Sequence, residues 1–373
     1  MSDTTATQKY EPGKHPELPP PILASGAIYW VRQNLLSSWY NAFLTVLGVW
    51  FLWTVIPPLL EWGFLGAVYE AADRAGCQAL GDGACWAFIN ERFKLFIYGF
   101  YPEEERWRAI LAFVLLFVAL GPLLFDKFPY RGKAMLFSMV YPFIAAWLLL
   151  GGFGLTPVGT DQFGGTLLNI IVGVTGIAFS LPIGIVLALG RASNMPAVRI
   201  VCVTFIEFIR GVPLITLLFV ASTMLSYFLP PGTSFDLLLR VLIMVTLFAS
   251  GYMAEVVRGG LQAIPRGQYE AADAMGLKYW QSMRHIVLPQ ALKISIPGIV
   301  NTFIGLFKDT TLVIIIGLLD ILGMGRASLA DAKWAGLAAE VYISIAFFFF
   351  LFCFSMSRYS LYLESKLETG HRN

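Results

Sequence analysis

Residues 259–293 read GGLQAIPRGQYEAADAMGLKYWQSMRHIVLPQALK, a polar segment between two long apolar runs. Residues 268–275 have a helix-forming composition, and Gly276 is placed to end that helix in a left-handed cap. Residues 279–287 start a second short helix, which Pro289 is expected to end. The segment is too polar to cross a bilayer and too regular to be a linker. It predicts a helix, a glycine turn and a helix lying on a membrane face.

The composition of the whole chain excludes a soluble globular protein. Of its 373 residues, 57% are hydrophobic and only 13% are charged, whereas a soluble domain carries about 25% charged residues. The mean hydropathy is +0.69, and 30 Phe, 10 Trp and 15 Tyr are too many aromatic side chains for a soluble core of this size. The net charge of +2 gives no reason to expect a nucleic-acid partner. A lipid bilayer is therefore the expected solvent.

Eight apolar runs are long enough to cross a bilayer as helices. They cover residues 39–60, 109–125, 134–151, 166–190, 200–229, 237–257, 294–319 and 341–359. The sixth run has charged residues near its start and the seventh is interrupted by two, yet both remain long enough to span. The predicted fold class is an all-α integral membrane protein with about eight transmembrane helices.

Basic residues in the short connections indicate which loops face the cytoplasm. The connections after the second and fourth runs are basic, as is the segment 258–293. The residues that carry this charge include Lys127, Arg131, Lys133, Arg191, Arg199, Arg266, Lys278 and Arg284. The polar tails 1–38 and 366–373 are then also expected in the cytoplasm, which an even number of spans allows. The loop 61–108 is expected on the opposite side.

Two of the four cysteines lie eight positions apart in that loop, within AGCQALGDGACWAF. If the loop faces an oxidising compartment, a local disulfide between Cys77 and Cys85 is favoured over two free thiols. A metal site is not expected there, because no histidine is near and the spacing is longer than that of paired zinc-binding cysteines. The three histidines, His15, His285 and His371, all lie outside the predicted spans.

Charged side chains inside an apolar span need a reason, because each costs about 2.5–3.5 kcal/mol on insertion scales. Glu207 and Arg210 are three positions apart on one helix face and are expected to neutralise each other. Lys308 and Asp309 are adjacent, so they point about 100° apart and at least one needs a partner elsewhere. Thr310 adds a hydroxyl to this polar break. The charges are either a clamp between helices or the lining of a polar path.

The polar loop resembles that of one transporter family. Glu270, Ala271 and Ala272 are followed by three residues, Gly276, nine residues and IVLP at 286–289. This spacing is similar to the cytoplasmic loop of binding-protein-dependent ABC importer permeases. FIEFIRGVPL at 205–214 and IPGIVNTFIGLFKDTTLV at 296–313 resemble the polar-amino-acid branch. The first three runs and YGFYPEEERW at 98–107 resemble the broad-specificity general L-amino-acid permeases of the M type.

The resemblance implies a type I importer core of five helices, spans four to eight within residues 159–365. Three extra helices precede it within residues 39–158. The loop 259–293 is then expected to hold the coupling helices that dock into a cytoplasmic ATPase. The residues expected at that contact are Glu270, Ala271, Ala272, Asp273, Gly276 and Arg284. The small alanines suit a groove of another protein, the alternative being a helix bound to lipid, which the two acidic residues oppose.

The resemblance also implies the other parts of the transporter. It implies a heterodimer with a homologous permease, an ABC ATPase dimer and a periplasmic binding protein that delivers L-amino acids, all at a bacterial inner membrane. The chain has no Gly-x-x-x-x-Gly-Lys-Ser/Thr phosphate loop, so ATP and Mg²⁺ are expected on the ATPase. No catalytic residue, cofactor or metal is expected on this chain.

The substrate path is predicted from the charges in the spans. An amino acid brings a carboxylate and an ammonium into the membrane, and each needs an opposite charge or several hydrogen bonds there. We expect Arg210 or Lys308 to meet the carboxylate and Glu207 or Asp309 to meet the ammonium, with Thr310 beside them. Only one permease of a heterodimer need hold a defined site, so the alternative is that this chain lines the path without binding.

Small residues recur at every fourth position of the fourth run, at Gly176, Ser180, Gly184 and Ala188. This spacing lets another helix approach closely. The partner helix belongs either to this subunit or to a second permease.

Three other classes of membrane protein fit the sequence less well. A proton- or sodium-coupled carrier would need an intramembrane acid relay or inverted repeats, and neither is visible. An integral membrane enzyme would need clustered His, Asp or Cys residues. A channel would leave the ATPase-docking pattern unexplained. The predicted function is therefore that of an importer permease.

Overall fold

The architecture is helical. The computed structural model describes residues 26–124, 128–224, 227 and 235–367, and within these ranges no β-strand is present. The chain divides into two units, one made of the residues up to 68 together with 80–84, the other of 69–79 and the residues from 85 onward. The predicted all-α class is confirmed.

The first unit consists mainly of one long apolar helix. Helix α1 spans Ala27–Asn34, within the predicted polar tail, and α2 spans Trp39–Leu60, continued by a π turn over Glu61–Leu65. Ser38 begins α2, because its hydroxyl accepts a hydrogen bond from the Asn41 amide at 3.2 Å. Helix α2 is apolar on all sides and buries none of its residues, as a helix surrounded by lipid would.

The second unit contains the remaining helices. Those before the predicted core are α3 (Arg74–Leu80), α4 (Trp86–Tyr98), α5 (Arg106–Leu124) and α6 (Arg131–Leu150). Those of the predicted core are α7 (Gly165–Arg191), α8 (Pro196–Gly211), α9 (Leu214–Phe219), α10 (Leu237–Gln262), α11 (Arg266–Ala274), α12 (Tyr279–Ser282), α13 (Leu288–Asp309), α14 (Ile321–Ser328) and α15 (Ala338–Leu367).

Six helices of the described part are long and apolar enough to cross a membrane, or seven if one bent pair counts as a single span. They are Trp39–Leu65, Gly132–Leu150, Gly165–Arg191, Leu237–Gln262, Tyr279–Ile316 and Ala338–Leu367, with Pro196–Gly211 and Leu214–Met224 as the bent pair. Helix α5 covers the second predicted run and is not among them. By this measure seven of the eight predicted runs are matched.

The fifth predicted run is not one straight helix. Helices α8 and α9 meet at 101°, and the break lies at Val212 and Pro213. Val212 has extended backbone angles, φ −109° and ψ 131°, because a proline disfavours helical angles in the residue before it. Pro213 also lacks the amide hydrogen that a continuous helix would use. The predicted span over 200–229 is therefore broken at Val212 and Pro213.

Pro289 behaves in the opposite way and does not end a helix. It lies in the first turn of α13, and a π turn at Met283–Val287 joins α12 to α13. The apolar helix therefore runs from Tyr279 to Ile316. A proline in a first turn removes no intrahelical hydrogen bond, and this is why the prediction of a stop is wrong.

The main contact of the bundle joins α7 to α10, which run parallel. A Cβ added to Gly176 would lie 3.2 Å from Val245, and one added to Gly184 would lie 2.7 Å from Met253. Because these glycines have no side chain, the two helices approach closely along their length. The stripe of small residues therefore packs inside this subunit.

A disulfide joins α3 to the start of α4, and polar contacts join this region to α15 and to the segment before it. Cys77 and Cys85 form the disulfide, with their Cα atoms 5.8 Å apart. The Cys85 amide donates to Glu340 Oε1 at 3.2 Å, and Lys333 Nζ lies 3.1 Å from Glu91 Oε2. These contacts lie at the end of the bundle opposite to residues 263–287.

Some predicted features lie outside the described residues. They are residues 1–25 with His15, the end of the second predicted run at Phe125, Lys127, the side chain of Arg131, the end of the fifth predicted run at Leu229, and residues 368–373 with His371.

We predict that the disulfide protects both thiols and stabilises the fold. In spheroplasts, a membrane-impermeant maleimide should label neither Cys77 nor Cys85 until a reductant is added, tested in a variant without Cys202 and Cys353. Replacing both Cys77 and Cys85 by serine should lower the free energy of unfolding by about 2.5 kcal/mol, because the bridge closes a short loop. Labelling without reductant would contradict the prediction.

Candidate functional site

The polar loop between α10 and α13 presents a short helix whose end is set by one glycine. Helix α11 is followed by Gly276, which has a φ of +72°. The Leu277 amide donates to the Ala272 carbonyl at 3.1 Å, and the Gly276 amide donates to the Asp273 carbonyl at 2.9 Å. This pair of hydrogen bonds is the Schellman cap. The predicted left-handed turn is present, and a residue with a β-carbon would be strained there.

One face of α11 is fixed to the helices that flank it in the chain. Tyr269 packs, partly buried, against an apolar cluster that includes Leu261 of α10, and its hydroxyl donates to the Leu261 carbonyl at 3.5 Å. Burial raises the pKa of Tyr269, so this hydroxyl keeps its proton. Gln290 Nε2 of α13 donates to Gln268 Oε1 at 3.1 Å. A force on α11 therefore reaches both α10 and α13.

The six residues predicted for the ATPase contact divide between the two faces of this loop. Ala272 is fully buried, so it seats α11 on its own chain and does not enter a groove of another protein. The others are exposed, namely Glu270, Ala271, Asp273, Gly276 and Arg284. The prediction that alanines of α11 enter a groove of another protein therefore rests on Ala271 and not on Ala272.

Three exposed apolar residues near Gly276 in the chain were missed by the sequence analysis. Met275 is 76% exposed, Tyr279 is 50% exposed and Trp280 is 69% exposed. The sequence does contain a signal for them, because bulky apolar residues are unexpected in a segment that is too polar to cross the bilayer. Exposed apolar residues bordered by charges are typical of protein–protein contacts. We call the surface formed by Glu270, Ala271, Asp273, Met275, Tyr279, Trp280 and Arg284 the coupling surface, after the contact that the sequence predicts for this loop.

The charges of α7, α8 and α10 form one cluster around Glu255. Its Oε1 lies 2.8 Å from Arg191 Nη1, and its Oε2 lies 2.7 Å from Arg258 Nη2 and 3.6 Å from Arg210 Nη1. Arg191 Nη1 also lies 2.8 Å from Glu207 Oε1. Three positive and two negative side chains thus connect three helices near the end of α10 that leads into the polar loop.

Glu207 and Arg210 therefore do not neutralise each other. Arg191 reaches Glu207 from α7, and Glu255 reaches Arg210 from α10, so each residue of the predicted pair bonds to a different helix. The Glu255 side chain is 15% exposed and that of Glu207 is 55% exposed. The cluster matches the predicted alternative of a clamp between helices, with Glu255 as its centre.

Lys308 and Asp309 have no such partners. Lys308 is exposed and Asp309 is half-buried, and neither side chain forms a hydrogen bond or an ion pair with a residue that the structure describes. Thr310 differs, because its hydroxyl donates to the Phe307 carbonyl at 2.7 Å and accepts from Asn169 Nδ2 at 2.8 Å. It is fully buried and joins α13 to α7, so in this conformation it lines no open path.

The two sets of charges lie at different levels of the bundle. Asn169, which contacts Thr310, and Arg191, which contacts Glu207, are 22 residues apart in α7. That separation corresponds to roughly 33 Å along a helix axis. One bound amino acid therefore cannot contact both sets, which excludes a single site built from Arg210 with Asp309.

Comparison with known proteins assigns the family. Residues 180–369 match the model of the family described as binding-protein-dependent transport system inner membrane component. The chain belongs to this family. This permease is 51% identical over 358 residues to the inner membrane amino-acid ABC transporter permease protein YhdY of Escherichia coli strain K12, covering 95% of this chain and 97% of that one. The family predicted from the loop is confirmed.

Two further similarities extend the comparison. The permease is 46% identical over 426 residues to the glutamate/glutamine/aspartate/asparagine transport system permease protein BztC of Rhodobacter capsulatus, covering 95% of this chain and 96% of that one. A crystal structure of an amino acid ABC transporter with histidines is 26% identical, covers 54% of this chain and 91% of its own, and has a TM-score of 0.48. The permease is thus a multi-pass inner membrane protein.

We predict that Glu255 stabilises the fold more than Glu207 does. Glu255→Gln should lower the free energy of unfolding by about 2–3 kcal/mol, because it leaves three arginines short of one partly buried carboxylate. Glu207→Gln is the matched control and should change stability by less than about 1 kcal/mol, because its ion pair is exposed. Thermal unfolding in detergent measures both, and equal effects would contradict a clamp centred on Glu255.

Proposed function

We propose that this permease is the membrane subunit of an ATP-driven, binding-protein-dependent importer of L-amino acids with broad specificity. The observation that carries the proposal is α11, a glycine-capped helix that is fixed to two long helices and turns a charged and apolar surface outward. The substrate class is supported by the names of two relatives, one an amino-acid permease and the other a glutamate/glutamine/aspartate/asparagine permease.

The partners follow from this proposal. An ABC ATPase dimer docks on the coupling surface, a homologous permease completes a heterodimer, and a periplasmic binding protein delivers the substrate. The polar loop and both termini then face the cytoplasm, which the basic residues Arg266, Lys278 and Arg284 favour. The loop 61–108 faces the periplasm, where its disulfide is stable.

Energy reaches the permease by docking and not by chemistry on this chain. ATP and Mg²⁺ belong to the ATPase in this proposal, and this chain carries no cofactor. Among the described residues, no group of three or more His, Cys, Asp or Glu side chains could hold a metal ion. Closure of the ATPase dimer pulls on α11, and the attached α10 and α13 then shift the balance between inward- and outward-facing states.

Lys308 and Asp309 are the favoured substrate contacts within this proposal. An unpaired charge in a span is costly, and these two have no partner among the described residues, whereas Glu207 and Arg210 are held in the clamp. Lys308 would meet the carboxylate and Asp309 the ammonium. Thr310 supports the same turn from the buried side.

The coupling surface is tested by recovery of the ATPase. Gly276→Val should strain the cap and Trp280→Ala should remove a large apolar contact, and each should reduce co-purified ATPase and amino-acid-stimulated ATP hydrolysis at least about tenfold. Gly267→Ala is the matched control, since Gly267 lies in α11 with open space around its added Cβ. The proposal fails if no ATPase co-purifies with the unchanged permease.

The substrate contacts are tested by uptake into proteoliposomes that contain the assembled transporter. Lys308→Gln and Asp309→Asn should each reduce uptake about tenfold or more while the ATPase stays bound, because one substrate charge then lacks its partner. Arg199→Gln, which neutralises an exposed charge at the start of α8, should leave uptake unchanged. Normal uptake by both span variants would assign the substrate site to the other permease.

A further inference from the structure

A cavity of about 730 Å³ separates the α5–α6 hairpin from the α7–α10 pair. Its walls are mostly apolar and include Leu149 of α6, Ile171 and Val174 of α7 and Leu242 of α10. Those three helices are membrane-spanning. None of the charged residues assigned above to the clamp or to substrate lines this cavity. It is therefore a separate feature of the permease.

Three polar residues, Thr160, Asp161 and Asp236, line one end of the cavity, which we call the rim. The other polar side chains of the lining are those of Tyr141 and Thr175. The Thr160 hydroxyl donates to Asp236 Oδ2, and Asp236 Oδ1 accepts from the Leu239 amide at 2.9 Å. Neither carboxylate forms an ion pair with a described residue, and no Lys, Arg or His is among the lining residues. The rim is therefore negatively charged, while the interior is neutral.

We propose that this cavity binds one acyl chain of a phospholipid whose headgroup carries an ammonium, such as phosphatidylethanolamine. The interior is unsuited to an amino acid, because it offers no charge to either end of a zwitterion. The Tyr141 hydroxyl, which faces this region, already donates to the Ala112 carbonyl at 2.9 Å. An apolar space bounded by membrane-spanning helices is filled most favourably by the acyl chains of the surrounding lipid.

The volume fits an acyl chain better than a helix. One turn of α-helix with its side chains occupies on the order of 400–600 Å³, from a diameter of about 10–12 Å and a pitch of about 5.4 Å. The cavity therefore holds little more than one turn, far short of a spanning helix. A methylene-sized group occupies roughly 30 Å³, the volume that one water molecule takes up in the liquid. A chain of about 16 carbons therefore needs roughly 500 Å³.

The rim selects the headgroup. An ammonium placed between Asp161 and Asp236 would be attracted by both carboxylates, whereas an anionic phosphatidylglycerol headgroup would be repelled by them. Arg240, one turn into α10, forms no ion pair with either rim carboxylate, and its guanidinium donates instead to the Phe235 and Ser222 carbonyls at 2.9 and 3.0 Å. The site therefore distinguishes lipids by the charge of the headgroup.

The test is photo-crosslinking of the full-length permease in nanodiscs. The probe is phosphatidylethanolamine or phosphatidylglycerol with a diazirine in one acyl chain, and labelled peptides are mapped by mass spectrometry. Labelling by phosphatidylethanolamine should concentrate at residues 142–150 and 167–175, at least fivefold above the rest of α6. Ala146→Trp, which places an indole in the cavity, should remove this excess. Val140→Trp, on an exposed part of α6 that does not line the cavity, should retain it.

The rim is tested separately. Asp161→Asn should abolish the preference for phosphatidylethanolamine over phosphatidylglycerol while leaving acyl-chain labelling in place. If Ala146→Trp is not recovered as a folded protein, Thr175→Leu fills the cavity from the α7 side and serves the same purpose. Labelling that spreads evenly over the lipid-facing surface, or that persists in both cavity-filled variants, would overturn the proposal. So would a protein segment crosslinked into the cavity in place of lipid.

Discussion

The close parallel packing of α7 on α10 is the constraint on which the rest of the permease depends. Glycines at positions 176 and 184 allow the two backbones to approach over most of their length. Because the helices are parallel and similar in length, their first residues lie level and so do their last. Thr160 therefore meets Asp236 at one end, and Arg191 meets Glu255 at the other. The acidic rim and the charged clamp are both consequences of this packing.

The second organising feature is the continuous connection between α10, the coupling surface and α13. Helix α11 is short, and isolated helices of this length are marginal in water. It is held by the buried Ala272, by Tyr269 and by the Schellman cap at Gly276. A helix fixed in this way can transmit a displacement to long neighbours, whereas a flexible loop would absorb it. The apolar residues beside the cap, Met275, Tyr279 and Trp280, remain exposed.

The charges in the spans separate into two kinds with different energetics. Those around Glu255 satisfy one another across three helices, so their insertion cost is offset within the subunit. Lys308 and Asp309 lie beyond this network, at the turn where α13 gives way to a 3₁₀ helix. The α-to-3₁₀ change places Thr310 toward Asn169 and leaves the adjacent charges unpaired by described residues. The presence or absence of ion-pair partners, and not depth in the membrane alone, distinguishes the clamp from a candidate binding position.

The sequence by itself determined the helical class, the positions of the apolar runs, the glycine cap and the spacing that identifies the family. These depend on local composition and on residues a few positions apart, which a chain carries before it folds. Only the tertiary structure decided that Arg210 bonds to Glu255 and not to Glu207, and that Ala272 is buried. Those outcomes depend on which distant helix or turn lies beside each residue. A spacing of three or four positions in the sequence does not contain that information.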